Sequence, residues 1–272
     1  MATRFSLEEH VGRPLDDDES VELPMVLTCL ADDPNHSIIV AVDSACRNNG
    51  RPDARAALGV FFRADSKWNR SEVLPPEDAT SQRAELCAAL RALELIHQAV
   101  AHEWEASITC GYPLKRVILK SDSSYLVSSM TEWIFGWREH GFTTARGKRV
   151  QNRDLFTDLL NWIGLLDDIQ IQFWLVRREH NRDADGLANA ALDAAPASAT
   201  LWDPRDAVNQ RRLESDSYAS ERVWRWHNRM GHVPLHALQH ATLGAARGMD
   251  INFEQIQAEF DKGAKCPSCG GS

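Results

Sequence analysis

Apolar positions along this chain change period several times, and each change marks a new element. Residues 37–42, Ser-Ile-Ile-Val-Ala-Val, are apolar and largely β-branched. That is the pattern of a buried strand, and it gives out at Asp43 and the polar Asn-Gly turn beyond it. Residues 56–62 form a second apolar run and 72–74 a short third one, so a three-stranded meander is expected. From Thr80 to about Ala101 the period becomes helical: Ala84, Leu86, Ala88, Ala89, Leu90, Leu93, Leu95 and Ile96 recur at that spacing, with Thr80 or Ser81 as N-cap. Residues 117–121 repeat the strand pattern and again run into an acid, Asp122. A helix is expected from Ser123, then a Trp-rich helical segment, then an amphipathic helix from Asp154 to about Leu166. Residues 169–176 alternate as a fifth strand, and Asn181 to about Ala194 is helical. The order β-β-β-α-β-α-α-α-β-α predicts an α/β domain: a mixed five-stranded sheet flanked by helices.

Punctuation divides the chain. Residues 1–35 are acidic, with the run Asp16-Asp17-Asp18-Glu19, and read as an arm. The α/β pattern fills 36–195. Pro196 and Pro204 bracket a break, so 196–220 reads as a linker and 221–272 as a small, mostly helical module. The composition, 43% hydrophobic and 25% charged, is that of a globular protein. A net charge of −9 excludes a chain that coats nucleic acid with its whole surface and leaves room for a local basic patch. No stretch approaches the roughly 20 apolar residues of a membrane span, so no membrane partner is expected. The first residues lack an apolar signal core, which points to an intracellular protein, nuclear or cytoplasmic and not secreted. Cys29, Cys46, Cys87 and Cys110 are scattered and read as buried thiols.

Four acids share one property. Asp43 and Asp122 end strands, and Glu85 and Asp185 sit in helix starts. In an α/β sheet these positions surround the usual cleft. Carboxylates converging there would repel one another unless hard cations such as Mg²⁺ held them. Two such ions ~4 Å apart can activate water and stabilise the leaving oxygen of a phosphodiester. A turn-capping role is the alternative for each acid taken singly.

The wording of the motifs decides between these. Asp43-Ser44-Ala45-Cys46-x-x-Asn49, Gln82-Arg83-Ala84-Glu85-Leu86, Asp122-Ser123-x-Tyr125 and Asn181-x-x-Ala184-Asp185-x-Leu187-Ala188 occur in that order. They resemble the four signature blocks of type 1 ribonuclease H, over about residues 37–195. The resemblance implies an RNase H-like fold and an endoribonuclease that hydrolyses the RNA strand of RNA–DNA hybrids with two Mg²⁺ ions, Mn²⁺ being the alternative. It makes Asp43, Glu85, Asp122 and Asp185 the catalytic, metal-binding carboxylates. Asp183 is the rival for the fourth position. Asn49 and Gln82 are implied contacts to the hybrid's minor groove, where 2′-hydroxyls are displayed. The segment with Trp133, Arg138, Arg146, Lys148 and Asn152 resembles the family's basic protrusion, which cradles the DNA strand. The chain departs from the pattern in three places, the first being an N-terminal arm that is acidic where a hybrid-binding module would be basic. Ser44 stands where the family usually has Gly. The connection before Asp185 is short, as in short-looped relatives, and its His180 reads either as a proton carrier or as an exposed turn residue.

A second pattern lies further on. His227 and His232, with four residues between them, are followed by Cys266-Pro267-Ser268-Cys269. Two His and two Cys make the ligand set of a closed tetrahedral zinc site, and a structural Zn²⁺ would let so short a segment fold. His236 and His240 are rival ligands at helical spacing. The block Trp226-His227-x-Arg229-x-Gly231-His232 with its C-x-x-C resembles the His-His-Cys-Cys module that precedes the integrase core in copia-type retroelements. Nucleic-acid binding or self-association is expected of it. Two other functions remain open at this point: a catalytically silent adaptor that binds hybrid or RNA, and a retroelement-derived assembly module, with the oligomeric state undetermined.

Overall fold

The computed structural model describes residues 2–6, 29–30, 37–101, 114–166, 168–194 and 198–206. The chain divides into two compact units, 1–207 and 208–272. The second unit lies outside the described residues, and with it His227, His232, Cys266 and Cys269.

The first unit is a seven-stranded mixed sheet. Its strands are β1 (Thr3–Arg4), β2 (Cys29–Leu30), β3 (Ser37–Arg47), β4 (Arg55–Phe61), β5 (Arg70–Val73), β6 (Arg116–Ser121) and β7 (Gln170–Leu175). The spatial order is β1-β7-β6-β3-β4-β5, with β2 paired to the start of β3. The β3, β6, β7 and β1 strands are mutually parallel, while β3, β4 and β5 form the expected antiparallel meander. All five expected strands are present. The two additional ones are only two residues long, too short to carry a period. One of them, Thr3–Arg4, lies in the segment expected to be an arm. It joins the edge beside β7, where Phe5 packs edge-on to Trp174 at 5.3 Å.

Among the described residues the helices are α1 (Ser81–Ala101), α2 (Ser124–Ser128), α3 (Ile134–Glu139), α4 (Arg153–Leu165) and α5 (Arg182–Asp193). Ser123 caps α2 through its hydroxyl, which accepts from Leu126 N–H at 3.2 Å. A single π-helical turn, Ser129–Trp133, joins α2 to α3. The α1 helix is buried nearly all round, with Gln82 its exposed exception. It lies between Ile38, Val40 and Val42 of β3 on one side and the α4 residues Phe156, Leu159 and Trp162 on the other.

The opposite face of the sheet is covered differently. There α5 packs across β3, β4 and β5 through Ala184, Ala188 and Ala191. Gly59 of β4 lies directly beneath it. A Cβ at Gly59 would collide with Ala184 O and stand 2.8 Å from Ala188 N. Ser71 of β5 donates to Leu187 O at 2.7 Å. Helix backbone therefore rests on strand backbone, which only the absence of a side chain permits.

Part of the expected linker belongs to this unit. Val73 pairs with Leu201, and Trp202 is buried and donates to Glu94 at 3.0 Å. Glu94 and Glu72 both receive Arg91, forming a buried ion network. The Pro residues that suggest a break flank a stretch anchored by its one Trp.

Candidate active site

The strand carrying Asp43 does not end there. Antiparallel pairing with β4 carries β3 on to Arg47, whereas its parallel pairing with β6 stops at Ala41 and Lys120. Asp43 thus sits in mid-strand at the fork where β6 leaves the sheet, and Asp122 directly follows the end of β6. The sheet is open on one side at this point, so two acids from adjacent strands stand at the same gap. Strand alternation puts Asp43 on the α5 face and Ser44 on the α1 face.

Asp43 is only 4% exposed. Its Oδ1 accepts from Ser44 N–H at 2.7 Å, and its Oδ2 accepts from Asn181 Nδ2 at 3.1 Å. The same Asn181 nitrogen donates to Val42 O at 3.0 Å and, more weakly, to Asp122 Oδ1 at 3.4 Å. Glu85, in the second turn of α1, accepts from Ser44 Oγ at 2.9 Å through Oε1. Its Oε2 is sealed from solvent and has no partner. Asp185 lies in the first turn of α5 and accepts from Arg178 Nη2 at 3.0 Å.

The acids feel one another. Burial, and then the charge of Asp122, pushes the Asp43 carboxyl up to about 7, with Asp185 adding to it. Burial, and then Asp43, pushes Glu85 up to about 8. Asp185, not Asp183, is the helix acid that raises Asp43. Asp183 is exposed and exerts its charge on Lys120 instead.

The donor set is all oxygen, as a hard divalent cation requires, and the orphaned Glu85 Oε2 is a buried oxygen with nothing to neutralise it. The residues fit such an ion chemically. As the side chains stand, however, no three His, Cys, Asp or Glu among the described residues are grouped to hold a metal. Ser44, Asn181 and Arg178 hold oxygens of these acids.

Asn181 is the functional residue that motif reading left without a role. It is 1% exposed, and its signal was its place at the head of the Asn-x-x-Ala-Asp block. His180 is also buried, with Nε2 unpartnered, so the exposed-turn reading does not hold. The short 3-10 turn Arg178–His180 folds it inward.

The expected nucleic-acid residues fall into two groups. Arg138, Arg146 and Lys148 are exposed; the last two ride on a tight turn closed by Thr144 N–H to Lys148 O at 2.8 Å, with Gly147 at φ 73°. Trp133, 43% exposed, leans on Trp137 and Tyr125. Gln82 and Asn49 are exposed near the start of α1, and Asn49 Oδ1 accepts from Ser81 N–H at 3.2 Å, which fixes its amide. Asn152 differs. Its amide donates to Tyr125 Oη at 3.2 Å and accepts from Arg83 at 3.4 Å, so both ends are committed within the protein. Arg83 in turn grips Asp154 and Asp78, locking the start of α1 to the start of α4. A cavity of about 780 Å³ lies beneath the Trp-rich segment, lined by Met130, Ile134, Phe142, Leu160 and Ile163; the four acids do not line it.

The family model for RNase H matches residues 35–193, more than half of the chain. The chain belongs to the RNase H family. It is 34% identical over 157 residues to mouse Ribonuclease H1, covering 56% of this chain and 49% of that protein. It is 30% identical over 163 residues to Ribonuclease H of Novosphingobium aromaticivorans, covering 58% of this chain and 96% of that one. Among solved structures, RNase H1 from the halophilic archaeon Halobacterium salinarum is 23% identical over 58% of this chain and 99% of its own, with a TM-score of 0.37. The chain spans about half the length of the mouse, rat and human relatives it matches.

Proposed function

We propose that this protein is a metal-dependent endoribonuclease that cuts the RNA strand of RNA–DNA hybrids. The observation that carries the reading is the Asn181 amide spanning Asp43 and Asp122 at the fork of the sheet, with Glu85 tied to the neighbouring Ser44 and Asp185 carried by the helix that follows Asn181. RNase H enzymes generally use Mg²⁺. Here the four carboxylates would hold it, with Mn²⁺ as the alternative ion. Bound there, divalent cations supply the charge that makes water a nucleophile at neutral pH and stabilises the leaving oxygen.

The protein's own groups do the rest. Burial and mutual repulsion leave Asp43 and Glu85 ready to exchange a proton for a cation near neutral pH. Arg138, Arg146 and Lys148 are exposed cations, suited to phosphates along a strand. Trp133 offers a half-open ring face. Asn49 and Gln82, at the start of the helix that carries Glu85, would read the minor groove and its 2′-hydroxyls. Asn152 would act from behind, through Tyr125 and Arg83.

The reading extends to residues 221–272, where the sequence pattern supports a structural Zn²⁺ on His227, His232, Cys266 and Cys269 in a module like that of copia-type retroelements. Through it a second nucleic acid could be held. Metal analysis of the full chain should find about one zinc per chain, lost in Cys266→Ser.

The experiment for the main proposal is cleavage of a labelled hybrid in Mg²⁺, with single-stranded RNA and duplex DNA as controls. Wild type should cut the hybrid alone, and Asp122→Asn should abolish cutting while still binding hybrid. Equal cutting by Asp122→Asn, or none by wild type in either Mg²⁺ or Mn²⁺, would overturn it.

A further inference from the structure

Ser44 touches two of the four acids at once. It follows Asp43 in β3, so alternation sends its side chain to the α1 face while its backbone stays beside Asp43. Its N–H donates to Asp43 Oδ1 at 2.7 Å, and its hydroxyl donates to Glu85 Oε1 at 2.9 Å. The backbone bond is open to any residue except proline. The hydroxyl bond depends on the side chain, and the resemblance to type 1 ribonuclease H puts a Gly at this position.

The consequence falls on Glu85. Its carboxylate has two oxygens: Oε1 is taken by Ser44, and Oε2 is buried without a partner. A free Glu side chain has three rotatable bonds and loses that freedom when a cation binds it. A hydrogen bond to one oxygen removes much of that freedom beforehand and leaves the other oxygen as the group to be neutralised. A neutral donor is suited to this task. A Lys or Arg here would satisfy the carboxylate outright and compete with the cation, whereas a hydroxyl orients it and leaves its charge in place.

We propose that Ser44 is a positioning residue for the metal centre: its hydroxyl holds Glu85 by Oε1 so that Oε2 is presented to the divalent cation. This rests on the reading of the four acids as metal ligands. It adds that cation affinity in this chain depends on a side chain outside the ligand set.

The test is Mn²⁺ binding to the full chain by isothermal titration calorimetry, without nucleic acid, for wild type, Ser44→Ala, Ser44→Gly and Ser44→Thr, with melting temperatures taken in chelator. Hydrogen bonds to charged groups set the scale, so Ser44→Ala and Ser44→Gly should weaken binding by about tenfold. Ser44→Thr keeps the hydroxyl on a strand-compatible residue and should bind within about twofold of wild type. Unchanged affinity in Ser44→Ala would overturn the proposal, even if its melting temperature falls, because the hydroxyl would then be a packing feature. Tighter binding in Ser44→Ala would also overturn it, by showing that the bond competes with the cation. Loss in Ser44→Thr equal to that in Ser44→Ala would do the same, since shape rather than the hydroxyl would matter. Wild type without Mn²⁺ binding would remove the metal reading itself, whereas tight binding by all four proteins removes only the role of Ser44.

Discussion

Two helices deliver an acid to the same spot and are held in opposite ways. The α1 helix brings Glu85 and is held by volume: Leu86, Leu90, Leu93 and Ile96 fill the space between sheet and α4. The α5 helix brings Asp185, preceded by Asn181, and is held by the absence of volume, with Ala184 and Ala188 set against Gly59. A volume-held helix has many contacts of similar worth, and the loss of one is shared among the others. A helix seated backbone to backbone has no slack. Its position, and with it Asn181 and Asp185, depends on one missing Cβ. The centre therefore has a tolerant side and an intolerant side.

The sharpest way to break the contrast is Gly59→Val. A branched side chain there must lift α5 off β4, so cleavage should be lost and the melting temperature should drop sharply. Gly59→Ala should already cost about 1–3 kcal/mol by overpacking, and more if the helix cannot shift. Denaturant melts and hybrid cleavage on the same samples would check both. Leu90→Ala, on the tolerant side, should cost a comparable ~2–5 kcal/mol in stability yet keep kcat close to wild type below its melting point. If Gly59→Ala and Leu90→Ala lose activity in equal proportion to stability, the contrast fails.

Asn181→Ala sharpens it further. The amide donates to Asp43, Asp122 and Val42, so its loss leaves buried acceptors unsatisfied at about 1–3 kcal/mol. Because two of those acceptors are proposed ligands, the Mg²⁺ concentration for half-maximal cleavage should rise, which a loss of stability alone would not cause.

The last effect is in pH. Asp43 and Glu85 are raised in the folded protein, to about 7 and about 8, from ordinary values of 3.8 and 4.5. An acid that holds its proton more tightly when folded imposes no penalty below its unfolded pKa. The penalty grows as pH rises above that value and is complete above the folded pKa. Metal-free protein should therefore lose melting temperature steadily between pH 5 and pH 9 through these two groups. Glu85→Gln should flatten that slope, and Mg²⁺ should raise the melting temperature more at pH 8 than at pH 6. A slope unchanged in both Glu85→Gln and Asp43→Asn would show that the acids do not carry it.

Much of this centre was legible in sequence, because period and motif are local. The five main strands and the α1 helix follow from runs of residues whose burial pattern repeats every two or 3.6 positions, and the four acids are picked out by motif blocks that resemble type 1 ribonuclease H. What was not legible depends on partners far along the chain. Asp43 reads as a strand end, since the apolar run stops there; pairing with β4, starting from Arg55, carries the strand onward. Asn152 reads as a nucleic-acid contact by its place in a basic segment, yet Tyr125 and Arg83 hold both ends of its amide. Trp202 sits between prolines that suggest a linker, yet Glu94 and Arg91 receive it.

By itself the sequence determined which residues would be apolar on which face, where helices start, and that four carboxylates occur in motif blocks in a particular order. Hydrophobic periodicity and capping chemistry are properties of neighbours in the chain, so they survive without the fold. Only the tertiary structure decided which acid oxygens are held and by what. The Ser44 hydroxyl on Glu85, the Asn181 amide across Asp43 and Asp122, and the bare Gly59 under α5 all join residues that are distant in sequence. Hydrogen bonds act over about 3 Å, and no period in a sequence reports a contact of that range between residues so far apart.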